Sequence, residues 1–526
     1  MRPSTTGDPG CGDGAQAAVI AFLSNPASYA PRPERVDRLE THGALVFLAG
    51  DEAWKIKRAL RFPYMDFSTL EKRKAVCARE VEINRRLAPE LYLGAVPITR
   101  AADGGLRLGG DGEVVEWAVR MRAFDQAALL SRIAATGPLA PELVRDLADA
   151  VYESHQAAQP AAVVDGAARF ERLIAAVSAT LAGVGNVLDA DALQRFGAVV
   201  AEQWRGAAAI LDERAAAGFV RRCHGDLHLN NIVLWQGRPV LFDALEFDDE
   251  LATIDTLYDL AFLLMDLDQR GQRVAANAVL NRTLWRSGVD LDLQGLRALP
   301  LFLGLRSAVR AMVTAERAAQ EQGETAARSA QGAARYLDAA VGYLSPAAPR
   351  LVAVGGLSGT GKSTLARALA PDVGAAPGAV HLRSDLERKA QHGVSETTRL
   401  GPDAYTVAAS TAVYAALCRK ARLVLATGQS CIVDAVFADP DERADVEAVA
   451  ADLGVPFQGL WLQAPAPQLI ERVTTRTDDA SDATSDVVRQ QLARGIGRMS
   501  ATWSVVDAGA SASAAVETAR GVLGLR

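Results

Sequence analysis

The stretch Gly356-Leu-Ser-Gly-Thr-Gly-Lys362-Ser363-Thr364 constrains this chain more than any other. It follows a short apolar run, Leu351-Val-Ala-Val354, and precedes Leu365-Ala-Arg-Ala-Leu369, the order of a strand, a glycine-rich turn and a helix. The spacing G-x-x-x-x-G-K-S is that of a phosphate-binding P-loop. Successive backbone N–H groups in such a turn, backed by a helix N-terminus, form a preorganised cradle for a triphosphate. Gly356, Gly359 and Gly361 let the backbone close, and Ser358, Thr360 and Thr364 complete the loop. Lys362 can then reach the β- and γ-phosphates of ATP, and Ser363 can hold Mg²⁺. A glycine turn beside a surface lysine is the alternative, and the flanking strand and helix patterns argue against it.

At 526 residues the chain is too long for one hydrophobic core, so several domains are expected. Half of it is apolar and a quarter charged, the balance of a soluble globular protein. The net charge of −7 argues against broad binding to nucleic acid. Cys11, Cys77, Cys223, Cys418 and Cys431 are scattered without metal-ligand spacing, as reduced thiols of a cytoplasmic protein would be. No apolar run suggests a membrane span and no signal-peptide pattern opens the chain, so no membrane partner is expected. Lysine is rare beside arginine, at Lys55, Lys57, Lys72, Lys74, Lys362, Lys389 and Lys420 only, so each one merits inspection.

Residues 1–30 read as a loose tail with a short helix at Ala15–Leu23. From Arg35 the pattern turns β: Ala44–Leu48 and Ala53–Lys57 flank a hairpin signal at Ala49-Gly50-Asp51-Glu52. Ser68-Thr69 and Glu71 open a helix predicted over Leu70–Leu87, and a strand is predicted at Glu113–Met121. Helices follow at Val144–His155, Ala167–Leu181, Leu193–Ala215 and, as one run, Leu299–Tyr343, with a β interruption at Cys223–Phe247. Ser345-Pro-Ala-Ala-Pro349 reads as a linker, which places one domain at 31–344, with lobes at about 31–122 and 123–344, and a second at 350–526. In the second, strands at Leu351–Val354, Val380–Leu382, Ser430–Val433 and Gly459–Leu462 alternate with helices, the pattern of a doubly wound parallel sheet.

The β interruption contains Cys223-His224-Gly225-Asp226-Leu227-His228-Leu229-Asn230-Asn231-Ile232, and a strand ending at Asp243 follows. Asp226 and Asn231 have the spacing of a kinase catalytic loop, in which the Asp orients and deprotonates the acceptor hydroxyl, while Asn231 and Asp243 would hold Mg²⁺. These residues resemble the aminoglycoside phosphotransferase and choline kinase-like family, over about Arg35 to Leu344. The resemblance implies a bilobal protein-kinase-like fold and phosphoryl transfer to a small molecule. The whole order, a phosphotransferase-like half, a Pro linker and a P-loop half, resembles two-part bacterial aminoglycoside phosphotransferase-like kinase/ATP-binding proteins. A kinase of this kind needs a strand lysine paired with a helix glutamate. Lys55 and Lys57 share one strand face. Lys55 is favoured because Ala53 then packs where adenine lies, and Lys57 is the alternative. Glu80 is the expected partner and Glu82 its rival. Met121, leading into Arg122-Ala-Phe124, resembles the adenine-binding hinge. No full glycine loop precedes Ala44, only Thr41-His42-Gly43. His224 is read as a brace, and the run Glu246, Asp248, Asp249 and Glu250 as mostly solvated or capping, with Asp255 and Asp259 as anchors of the loop.

In the second half, Ser430-Cys-Ile-Val-Asp434 is an apolar strand ending in a Walker-B-like aspartate, or in a turn residue. Asp385 either faces an acceptor hydroxyl, or Ser384 or Asp385 caps the next helix, and Arg383 and Arg388 are candidate anion binders. Arg472 and Arg476 are four apart on one helix face, ahead of a polar loop that reads as a lid bringing arginine onto the phosphoryl group. This half resembles gluconate kinase, chloramphenicol phosphotransferase and zeta-toxin-like P-loop kinases. The expected cofactors are ATP and Mg²⁺ at two sites, with a small-molecule hydroxyl acceptor and no nucleic acid. One active kinase beside a nucleotide-binding regulator is the first alternative, and a polynucleotide or toxin-like kinase the second.

Overall fold

The computed structural model describes residues 12–41, 43–62, 65–162, 165–184, 187–475 and 480–525. The chain packs as two compact units. Of the described residues, one unit holds those up to Gly137 with Glu153–Ala161 and Val220–Asp259, and the other holds those of Pro138–Tyr152, Ala162–Phe219 and from Leu260 onward.

The first unit is built on an antiparallel sheet in the order Val36–Glu40, Ala44–Ala49, Glu52–Lys57, Glu113–Arg122, Tyr92–Arg100, Leu106–Leu108. Gly50-Asp51 makes the expected hairpin turn, with Gly50 at φ +63°, a conformation that favours glycine. Alternation along Glu52–Lys57 sends Trp54 and Ile56 into an apolar cluster with Val19, Leu23, Phe47 and Ile98. The opposite face carries Ala53, Lys55 and Lys57. Ala53 packs there with Cys77 and Val81 of helix Leu70–Asn84. Thr69 caps that helix by accepting the Lys72 N–H at 3.3 Å. The helix stops three residues before the predicted Leu87, where the Asn84 side chain turns to Glu80 O and Ala244. Strand Tyr92–Arg100 was not predicted: Gly94 and Pro97 mask its alternation, and its pairing is irregular on either side of them.

The second unit contains the long helices and a P-loop sheet. The run predicted over Leu299–Tyr343 is two helices, Leu299–Gln320 and Gly323–Leu344. The chain reverses at Gly323, φ +62°. Gly304 permits close packing between them, since a Cβ there would lie 2.5 Å from Leu344 Cγ. The segment Asp290–Gln320 is in fact long and apolar enough to cross a membrane, and it is mostly buried in this unit, as a core helix is. Residues 345–349 are passed through without a break in the unit. Among the described residues, the five strands beyond them are all parallel, in the order Val380–Arg383, Cys431–Asp434, Leu351–Gly356, Phe457–Gln463, Trp503–Asp507. The last was missed in the sequence. Side-chain amides border the outer edge strand. Asn277 and Asn281 of helix Arg273–Ser287 donate to Ala379 O at 3.0 and 3.2 Å, and Asn281 Oδ1 accepts the His381 N–H at 2.7 Å.

Candidate functional site

In the first unit, strand, helix and loop bring five charged side chains together. Lys55 Nζ lies 2.8 Å from Glu80 Oε1 and 2.5 Å from Asp243 Oδ1. Lys57 Nζ lies 2.6 Å from Glu80 Oε2 and 2.5 Å from Glu246 Oε1. Lys55 therefore faces the candidate metal aspartate, and Lys57 faces away from it. Ala53 sits opposite Met121 on the neighbouring strand, both buried. Glu82 is exposed and pairs with Arg79, so it is not part of the cluster. Burial works against the Lys55 ammonium, but Asp243 and Glu80 outweigh it and hold its pKa well above the ordinary value. Burial also opposes the Glu80 carboxylate, and Lys55 and Lys57 hold its pKa low. Burial raises that of Glu246, with Lys57 pulling the other way.

Glu246 corrects the reading of the acidic run as solvated: its side chain is 8% exposed. Its spacing of three from Asp243 was the available signal. Asp248 does cap the next turn, through Glu250 N and Leu251 N, and Asp249 pairs with Arg79 and Arg222.

The loop around Asp226 is braced from below. Asp259 accepts the backbone N–H groups of His224 and Gly225 at 3.3 and 2.9 Å, and His155 Nε2 lies 3.0 Å from it. Asp255 instead receives the Leu257 N–H. His224 is a brace as expected, with Nε2 at 2.9 Å from Phe242 O and Nδ1 accepting the Asp226 N–H. Burial lowers its pKa. Asn231 Nδ2 donates to Asp226 Oδ2 at 2.9 Å, and His228 lies 3.4 Å from the same oxygen. The Asp226 carboxylate stays 40% exposed, able to meet an incoming hydroxyl. Asp243, at φ +59°, is fixed by its N–H to the buried Tyr92 hydroxyl, 3.0 Å. The oxygen donors of Asn231 and Asp243 suit a hard divalent cation. The hinge differs from expectation: the Arg122 and Ala123 N–H groups already donate to Leu91 O and Asp51 O.

In the P-loop, Gly356, Gly359 and Gly361 have φ of +144°, +87° and +89°. Gly361 leads into helix Lys362–Leu369, which places Lys362, Ser363 and the exposed Thr364 in its first turn. Thr360 is buried and donates to Leu357 O, and Lys362 Nζ lies 3.2 Å from the same carbonyl. Ser363 Oγ contacts Asp434 Oδ2 at 2.5 Å. Asp434 is buried, and burial opposes its charge, but His381, Lys362 and Arg383 hold its carboxyl low. A serine hydroxyl and a carboxylate in contact fit Mg²⁺. Sequence reasoning missed Gln491, whose Oε1 accepts the Ser358 N–H at 2.9 Å. No spacing signalled it.

Around the expected acceptor side, several side chains turn inward. Arg388 donates to Ala404 O and lies over Tyr405, buried, so it is not a free anion binder. Arg383 lies 3.8 Å from Asp434. Asp385 is half-buried in helix Ser384–Gln391, whose N-cap position is Arg383, so the capping alternative does not describe it. The Arg472 guanidinium donates to Ala508 O at 2.9 Å and to Gly359 O of the P-loop at 3.5 Å. Arg476 lies outside the described residues. Asp482 accepts from Lys389 Nζ, Tyr405 OH and Leu400 N at 2.6, 2.6 and 3.1 Å.

Two family models match this chain, the "Phosphotransferase enzyme family" over residues 44–299 and an "AAA domain" over residues 351–500. Together with the two sites, they define a kinase in two parts, a protein-kinase-like phosphotransferase domain followed by a P-loop kinase domain. The chain belongs to the same family as an uncharacterized protein of Mycobacterium tuberculosis, with which it is 34% identical over 466 residues, 87% of this chain and 90% of that one. A Mycobacterium bovis protein gives the same figures. Among solved structures, a choline/ethanolamine kinase family protein from Mesorhizobium loti is 15% identical, covering 62% of this chain and 99% of that one, with a TM-score of 0.37. A gluconokinase from Sinorhizobium meliloti is 21% identical, covering 34% and 92%, with a TM-score of 0.25. Neither likeness bears on function.

Proposed function

We propose that each half moves the γ-phosphoryl group of ATP to a hydroxyl of a small molecule such as a sugar, amino sugar, aminoglycoside or nucleoside, in the cytoplasm. The observation that carries this reading is Lys55 held between Glu80 and Asp243, with Asp226 and Asn231 paired on the adjoining loop. Lys55 binds phosphate oxygens, and Glu80 fixes its direction. Asp226 accepts the proton of the attacking hydroxyl, and its contact with Asn231 orients the carboxylate. Mg²⁺, held by Asn231 and Asp243, would neutralise charge building on the transferred group. In the second half, the backbone cradle and Lys362 bind the triphosphate, Ser363 and Asp434 would hold the metal, and Asp385 stands nearest the acceptor role. Arg472 supports the loop in its present position, and Arg476 remains the candidate to meet the phosphoryl group. The test is a metabolite-library screen for ATP consumption by the intact protein, Asp226→Asn and Lys362→Ala. Each substitution should abolish one activity and spare the other. Loss of no activity with either would refute the reading, and loss with only one would reduce the protein to a single working kinase.

A further inference from the structure

Strand Glu52–Lys57 grips the segment Asp243–Glu246 at two points. Both strand lysines meet Glu80, through different oxygens, and then diverge, Lys55 to Asp243 and Lys57 to Glu246. The exposures differ in a telling way. Lys57 and Glu246 are 3% and 8% exposed, whereas Asp243 is 34% exposed. Asp243 is offered outward, and Glu246 is turned in against Lys57.

The backbone between them needs holding. Asp243 has φ +59°, a conformation that a non-glycine residue keeps only when its surroundings fix it. Asn84 clamps Ala244 through both N–H and C=O, Leu245 N–H donates to His224 O, and Glu246 is the next fastening point. The charges call for the same arrangement. Three carboxylates share two ammonium groups, so Lys57 must answer Glu246 for Asp243 to remain available to a cation. Lys57 also keeps Glu80 in place when Lys55 leaves Asp243 for phosphate oxygens.

We propose that Lys57 and Glu246 form a positioning pair that sets the Asp243 loop for metal binding without touching metal or nucleotide. The proposal rests on the phosphotransfer reading of the first half. It is tested in the full chain carrying Lys362→Ala to silence the P-loop, by calorimetric titration of ATP at a series of Mg²⁺ concentrations. In that background, Glu246→Gln should raise the Mg²⁺ needed for half-maximal ATP affinity about tenfold, the low end of what loss of a ligand-supporting contact costs. Lys57→Met leaves two buried carboxylates facing each other and can prevent folding. The paired Lys57→Met/Glu246→Leu removes both charges, and it should fold and show the same raised Mg²⁺ requirement. Parent-like Mg²⁺ dependence in both Glu246→Gln and the pair would overturn the proposal. So would loss of all Mg²⁺ dependence in Glu246→Gln, as for Asp243→Asn, because Glu246 would then be a metal ligand. A parent with no Mg²⁺-dependent ATP binding would remove the phosphotransfer reading itself, and this proposal with it.

Discussion

Replacing Asp259 with Asn isolates how the loop around Asp226 is held. The carboxylate is fully buried and accepts the N–H groups of His224 and Gly225 on separate oxygens, with His155 also in contact. Asn preserves shape but supplies only one accepting oxygen. If that oxygen keeps the shorter bond to Gly225, the amide NH₂ faces the His224 N–H, donor against donor. One buried N–H is then unsatisfied, costing about 1–3 kcal/mol, and the surviving bond loses its charge, costing about 1 kcal/mol more. The loop should open more often by about 2–4 kcal/mol, or roughly 30- to 1000-fold. Native-state hydrogen exchange reads this directly. Amides of residues 223–231 should exchange faster by that factor, while those of 351–363, at the P-loop, keep their protection. Unchanged exchange at 223–231 would refute the claim that Asp259 holds the loop.

The P-loop gives a second prediction. Gly359→Ala places a Cβ 2.6 Å from Leu469 O at φ +87°, where a side chain costs about 1–2 kcal/mol even without the overlap. Thermal stabilisation by Mg·ATP in a Lys55→Ala/Asp243→Asn background, which removes the first half's phosphate and metal contacts, should disappear, and retained stabilisation would contradict the geometry. Lys389→Met takes the ammonium from the Asp482 side chain, 9% exposed, and leaves it the Tyr405 hydroxyl and the Leu400 N–H, with an expected loss of about 3 kcal/mol. Limited proteolysis should then cut the chain near residue 482 much sooner than in the parent. Burial lowers the pKa of both His224 and His381, so the folded protein takes up fewer protons than the unfolded chain below about pH 6.5. Their stability contribution is complete above that pH and falls on acidification by up to roughly 1.4 kcal/mol per unit for each histidine. Unfolding midpoints measured from pH 8 to 5.5 should drop accordingly, and less steeply in His381→Asn.

The parts legible in the sequence are those whose chemistry is fixed by spacing along the chain. The P-loop, the Asp226–Asn231 interval and the shared face of Lys55 and Lys57 are local facts, and local geometry delivered them. Glu80 was found because a helix partner for the lysine had few candidates. The rest depends on contacts that composition does not encode. Glu246 sits in a run of acids that looks solvated until the strand lysine is seen beneath it. Arg388 and Arg472 read as ligand-binding cations, yet backbone carbonyls take them inward. The hinge amides at 122 and 123 are spent on Leu91 and Asp51, which no motif signals. Strand Trp503–Asp507 lies far beyond the last recognisable alternation.

The side-chain amides of Asn277 and Asn281 stand in for a neighbouring strand along the margin of the P-loop sheet. A fragment beginning at Arg350 would lose that cover and present unpaired peptide groups to any other chain, an invitation to self-association. Insolubility of such a fragment would reflect a missing neighbour rather than a faulty fold. The same dependence gives natural selection a reason to keep the two halves on one polypeptide.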